Sequence, residues 1–299
     1  MSAAPRHIVA IWLMAIRPRT LFAAVSPVLL GTALAMVFGL GNLAVATLAL
    51  IGALAIQVSA NLANDYWDAK KGADGPDRVG PVRVTSAGLL SPKAVLSGLG
   101  VSMGLACLAG AGLVYRAGWP ILVLGVLSLA LALLYTAGPF PLAYLGLGDL
   151  FTFVFFGVVA TAGTFYVQTL ALPWHAIVLG CIPGFYSVAL IALNNLRDAD
   201  RDCLVGKRTT AVRFGKGFAK VEILISLVAP ALVPLVFWNV GFLSSFAVGL
   251  CVFLGLALGL PVAWRVYRIT DMREINGLFP KVGKACLMVS LAVSVAFFV

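Results

Sequence analysis

Nine stretches of the chain run almost free of charge for about the thickness of a lipid bilayer. They cover about 20–39, 43–65, 93–114, 119–136, 150–170, 175–196, 218–239, 243–264 and 283–299. A helix needs roughly 20 apolar residues to cross hydrocarbon, where no water can satisfy an open backbone group. A chain with nine such segments is therefore expected to form an all-α membrane bundle, a single domain over 1–299 around a central cavity. The 119–136 segment is short, and Pro139 and Pro141 are expected to end it. Only 11% of the residues are charged, against about 25% in a soluble domain. Ile8 to Ile16 is too short to span, so residues 1–19 read as a cytoplasmic, interfacial segment ahead of the first crossing. The five cysteines are scattered without a C-x-x-C pair, which suits apolar filling rather than a disulfide or zinc framework.

The positive charges give the bundle an orientation. Of 21 lysines and arginines, all but Arg116 fall before helix 1 or after helices 2, 6 and 8. With nine spans those four groups share one face, which the excess of cations makes cytoplasmic. The N-terminus is then inside and the C-terminus outside. A net charge of +10 is accounted for by one basic face opposite anionic headgroups and substrates, with no nucleic-acid partner required.

Acids on that same face are clustered. "NLANDYWD", Asn61 to Asp68, closes the second apolar run, and "NNLRDADRD", Asn194 to Asp202, closes the sixth. Asn61 and Asp65, Asn64 and Asp68, and Asp198 and Asp202 are each four residues apart, so each pair lies on one helical face. Asparagine and aspartate near hydrocarbon depth are costly and are usually retained for function. Two such helix ends facing each other present oxygen ligands suited to Mg²⁺ shared with substrate phosphates. Lys70, Lys71, Arg83, Lys207 and Arg208 stand nearby to neutralise phosphate charge.

These motifs, with "KKGAD", "GKRTTAVRFG", "RPRTLFAAVSPVLLGTA", "GPVRVTSAGLLSP" and "YTAGPFPLAYLGLGD", resemble the UbiA superfamily of intramembrane prenyltransferases. The branch they are most similar to uses 1,4-dihydroxy-2-naphthoate in menaquinone synthesis. The resemblance implies transfer of a polyprenyl chain from polyprenyl diphosphate to dihydroxynaphthoate, with loss of CO₂ and pyrophosphate. It implies Mg²⁺ as cofactor, the lipid bilayer as surroundings, and an active site at the cytoplasmic face. Asp68, Asp198 and Asp202 would be catalytic, and Asp65, Asp68, Asp198 and Asp202 would hold the metal with Asn64 beside them. The superfamily's first motif, read from Asn64, gives Asp68 and then Gly72, leaving Asp74 or Asp65 to supply its last carboxylate. Lys70, Arg83, Lys207 and Arg208 would contact phosphate oxygens. Tyr135, Tyr144 or Tyr166 would flank the allylic cation. Asp149 would bind an acceptor hydroxyl or complement the N-terminus of its helix, Asn194 and Asn195 would contact donor or metal, and Arg19, with Arg17, would meet the acceptor carboxylate. Gln168 is expected to make a helix–helix hydrogen bond.

Two other classes are disfavoured by the residues. A secondary transporter would carry polar groups near the bilayer midplane, whereas here the charges stop at the cytoplasmic rim. "DGPDR" at Asp74 to Arg78 only partly echoes the motif of CDP-alcohol phosphotransferases. Within the superfamily, 4-hydroxybenzoate, homogentisate and haem remain alternative acceptors.

Overall fold

A computed structural model describes residues 7–72, 79–138 and 141–299. Asp74, Asp77, Arg78 and Pro139, on which parts of the sequence reading rest, lie outside the described residues. Within them the chain is helical, with no strand. Its main helices are α1 (Ile8–Ile16), α2 (Phe22–Val37), α3 (Leu43–Lys70), α4 (Pro92–Ala117) and α5 (Trp119–Leu134). They continue as α6 (Gly148–Thr169), α7 (Trp174–Leu204), α8 (Thr210–Asn239), α9 (Ser245–Arg268) and α10 (Phe279–Ala296).

Apolar side chains fill each helix, and polar residues sit where the backbone needs partners. Asn42 caps α3 by accepting from the Ala44 and Val45 amides. Ser91 and Ser244 cap α4 and α9 in the same way, satisfying donors that a helix start leaves open. Inside the bundle the Ser59 and Ser102 hydroxyls meet at 2.8 Å and join α3 to α4. Gln168 bears out its expected role: it donates to Thr32 of α2 at 3.0 Å and accepts from the Asn42 amide at 2.9 Å.

The count of nine crossings is approximate. Among the described residues seven segments are long and apolar enough to span, and an eighth forms if Ile8–Thr20 and Phe22–Val37, bent by 49°, act as one. Two predicted windows, the first and the fourth, end up as helices of 16 residues. Such a helix is about 24 Å long, short of the roughly 30 Å hydrocarbon core. Both are cut by their boundaries. Arg17 takes a left-handed conformation at φ +55 and ends α1 before Pro18. Gly118 at φ +77 starts α5, and Gly138 at φ +83 turns the chain soon after its end.

Two packing regions divide the bundle. The larger core joins α2 to the helices from α6 onward through Leu30, Phe165, Tyr186, Leu227 and Val289, all essentially inaccessible. A smaller core packs α1, α3 and α4 around Leu62, Val84 and Val95. Between these regions, α2 to α6 enclose a cavity of about 220 Å³, walled almost entirely by apolar atoms. Small residues of α3 (Ala49, Gly52, Ala53) leave room on one side, and Phe155, Phe156 and Val159 of α6 face it from the other. Those α6 residues sit on a widened π-helical turn, Val154–Val159, a feature that recurs at functional sites. The turn is held from behind by glycine: a Cβ on Gly157 would lie 2.4 Å from the Gly184 Cα of α7. The backbones of α6 and α7 therefore touch, and the wide turn is pushed toward the cavity.

Candidate active site

Within electrostatic reach of Tyr135, a residue of the cavity wall, the ends of α3 and α7 bring buried charges together. Asp68 is buried in the last turn of α3 and accepts from Arg83 Nη2 at 3.0 Å. Its other oxygen, Oδ1, is buried and accepts no hydrogen bond among the described residues; Lys207 Nζ lies 3.6 Å from it. The same ammonium lies 3.9 Å from Asp202 Oδ1 at the end of α7. One lysine thus stands between two buried carboxylates from opposite halves of the chain. Burying like charges together is costly, so this arrangement suits a site completed by something cationic. Tyr144 covers the group, with Lys71 and Lys207 over its ring at 4.9 and 5.4 Å.

Lys71, which the sequence reading set beside Lys70, is exposed as well, but its ammonium is the one that reaches Tyr144 and the site. It donates to the Thr136 carbonyl at 2.7 Å. Burial draws its pKa below the usual lysine value, with Asp68 opposing and Lys207 adding to the fall. Lys70 points away, exposed and stacked 5.0 Å over the Trp67 ring. The helix explains the exchange: Lys71 is three residues from Asp68 and shares its face, whereas Lys70, two residues away, does not. Arg208 is likewise exposed, and only its backbone N–H is engaged, donating to the Tyr144 carbonyl at 3.3 Å.

Asp65 has a different environment from Asp68. It accepts the Val84 amide at 3.2 Å, the Thr85 amide at 2.9 Å and the Thr85 hydroxyl, and lies 3.8 Å from Arg17 Nη2. Its lone pairs are consumed in fastening the loop that carries Arg83 to α3. Of the two arginines expected at the acceptor carboxylate, Arg17 thus lies beside Asp65, while Arg19 is exposed. Asn61 binds the Ile16 carbonyl at 2.7 Å and Thr20 at 3.0 Å, fixing the elbow between α1 and α2. Asn64 remains at the site, accepting from the Thr136 hydroxyl at 2.9 Å.

On α7 the two aspartates also diverge. Asp198 is gripped at both oxygens by its neighbour Arg197, at 2.8 and 2.6 Å, whose side chain is 1% exposed. Arg197 Nη2 also donates to Asn194 at 2.6 Å. Asn195 turns to Asp149, donating at 3.2 Å. Asp149 is buried and approached on its other oxygen by the Thr210 hydroxyl at 3.3 Å, which in turn lies 3.0 Å from Glu222. These contacts tie the start of α6 to α7 and α8 and engage both Asp149 oxygens.

Tyr135 lines the cavity and lies within electrostatic reach of Asp149, Asp68 and Asp202. It joins the apolar and acidic halves of the site. Tyr166 does not: its hydroxyl faces the Ala117 carbonyl at 3.5 Å, beside Arg116 at the opposite end of the bundle.

Among the described residues no three His, Cys, Asp or Glu side chains form a ready-made metal cluster. The donor set is two carboxylates, one with a buried oxygen lacking any donor. That is too few for an all-protein cage, and it fits Mg²⁺ held by one or two carboxylates and completed by substrate phosphates.

The comparisons agree with this architecture. Residues 24–289 match the model of the UbiA prenyltransferase family. A 1,4-dihydroxy-2-naphthoate octaprenyltransferase of Escherichia coli (strain K12) is 36% identical over 286 residues, covering 94% of this chain and 92% of that one. A protein of the same description from Mycobacterium tuberculosis (strain ATCC 25618 / H37Rv) is 40% identical over 204 residues, 68% of this chain and 70% of the other. In structure the chain is similar to a UbiA homolog from Archaeoglobus fulgidus bound to DMAPP and Mg²⁺, with a TM-score of 0.62 and 15% identity, over 93% of this chain and 99% of that one. The helical bundle, its acidic helix ends and the match across most of its length establish that this chain belongs to the UbiA prenyltransferase family.

Proposed function

We propose that the protein transfers a polyprenyl chain from polyprenyl diphosphate to 1,4-dihydroxy-2-naphthoate, releasing diphosphate and CO₂ at the cytoplasmic face of the membrane. The observation that carries this reading is Lys207 between the buried carboxylates of Asp68 and Asp202, at the end of an apolar cavity. The naphthoate relatives, 36% and 40% identical, supply the acceptor. The clustering of cations around the acids supports the orientation, with the N-terminus inside and the C-terminus outside.

Asp68 and Asp202, with Asp198 beside Asp202, would hold Mg²⁺ with the diphosphate, and the ion would supply Lewis-acid stabilisation of the leaving group. Arg83, Lys71 and Lys207 add fixed positive charge where negative charge develops as the allylic C–O bond breaks. The apolar walls accept the prenyl tail and keep water from the cation, each buried methylene contributing about 0.8 kcal/mol. The Tyr135 ring, between tail and acids, is placed to stabilise the cation by its π-face. The acceptor ring then forms the new C–C bond, and the electron pair of its departing carboxylate restores the aromatic hydroquinone.

The test is turnover by the purified protein in detergent with carboxylate-labelled dihydroxynaphthoate, polyprenyl diphosphate and Mg²⁺. Label should leave as CO₂ in step with product. Prenylated product that keeps its label would instead favour an acceptor such as 4-hydroxybenzoate.

The two neighbouring lysines give a sharper check on where the diphosphate lies. Lys71→Ala should raise KM for the prenyl diphosphate roughly tenfold, a loss of about 1.4 kcal/mol. Lys70→Ala should change it by less than about twofold, because its ammonium lies over the Trp67 ring instead of beside Tyr144 and the acids. Equal effects would place the diphosphate elsewhere.

A further inference from the structure

We propose that Arg197 is a positioning residue that sets the geometry of the diphosphate and metal end of the site; the inference rests on the function proposed above. Every nitrogen of its guanidinium is committed. Nε and Nη2 hold Asp198, Nη2 also holds Asn194, and Nη1 donates to Asn276 Oδ1 at 2.9 Å. Asn276 belongs to the 3₁₀ turn Met272–Gly277 before α10, and its own amide donates to the Val79 carbonyl at 2.9 Å. The Phe279 ring lies 5.4 Å beneath the guanidinium.

Two consequences follow from this arrangement. A carboxylate offers about four lone-pair sites, and a bidentate arginine uses two. Asp198 is therefore oriented by Arg197, with lone-pair capacity left on a side chain that is 13% exposed and within electrostatic reach of Asp202. Ligand orientation by such a partner typically changes metal affinity by about 10–100-fold when it is lost. The second consequence is longer in range. Val79 lies four residues before Arg83, which donates to Asp68, so the Arg197–Asn276–Val79 chain ties the second acidic helix to the first acidic site. A neighbouring pair on a helix does not normally face itself. Here the buried fork brings Arg197 back onto Asp198, and lysine, with a single point charge, lacks that geometry.

The experiment uses the full chain in detergent and two readouts. The first is the rise in Tm produced by Mg²⁺ with inorganic pyrophosphate, which needs no turnover. The second is steady-state kinetics with both substrates. Arg197→Lys should require at least tenfold more Mg²⁺ for half of the wild-type Tm rise, and should raise KM for the prenyl diphosphate by a similar factor. Acceptor KM should stay within about twofold. Asn276→Ala removes only the link to the turn, so it should show the same pattern at about threefold and guards against a failure of Arg197→Lys to fold. Normal Mg²⁺ dependence in both variants, or equal changes in both KM values, would overturn the inference. Failure of the underlying function shows up separately, as full activity in Asp68→Ala.

Discussion

Asp68→Asn and Asp202→Asn should each lower kcat at least a thousandfold while leaving the protein folded and extractable. Both carboxylates are buried against Lys207, and an amide keeps their shape but removes the charge that balances metal, lysine and diphosphate. A thousandfold loss is about 4 kcal/mol of barrier, the size associated with a direct electrostatic partner of the transition state. Asp65→Asn should behave differently. It loses one acceptor for the Val84 and Thr85 donors, so its main effect should be a lower Tm, with activity falling as the Arg83 loop loosens. Measuring kcat and Tm on the same three preparations separates the roles. An Asp68→Asn variant retaining a tenth of wild-type kcat would remove that residue from the proposed machinery.

That contrast also shows what could be read from the residues. The apolar runs and the two acidic helix ends were legible because hydrocarbon thickness and helical period are local properties of the chain. Asp68, Asp202, Lys207, Arg83 and Tyr135 emerged at one site for the same reason: each stands near the polar end of a recognisable span. Asp65 and Asp68 could not be separated by spacing, since both lie a turn from an asparagine. What separates them is the loop at Val84 and Thr85, whose fold is a tertiary fact. Lys71 was recoverable, because its offset of three from Asp68 places it on the same face while Lys70 points away. Asn276 and Glu222 carry no such local signal. Asn276 reaches Arg197 only when the turn before α10 packs against α7, and Glu222 reaches Thr210 because Gly215, at φ +88, breaks α8 between them. The short α5 has another cause: hydropathy does not register the backbone turns at Gly118 and Gly138 that bound it.

The second large effect should come from filling the cavity, with Gly163→Phe as the direct means. Gly163 lies on the cavity wall, and a Cβ built there meets nothing within 4 Å. A benzyl group can therefore enter the open space without displacing backbone, and replacing a mid-helix glycine favours the helix by a few tenths of a kcal/mol. Gly157 offers the opposite case, because its Cβ would strike the Gly184 backbone. The side chain at 163 would take up a large part of a cavity of about 220 Å³, so a long prenyl tail would lose its place while the acids and cations stay where they are. The expected result is a fall of at least a hundredfold in kcat/KM for a long polyprenyl diphosphate, about 2.7 kcal/mol. For geranyl diphosphate the change should stay below about threefold, and the Tm rise with Mg²⁺ and pyrophosphate should be that of the wild type. Equal losses with both donors would mean that the substitution disturbs the acidic end instead. No loss with either would show that the tail does not run through this cavity, and would shift the search to the lipid-facing surface of α4 and α5.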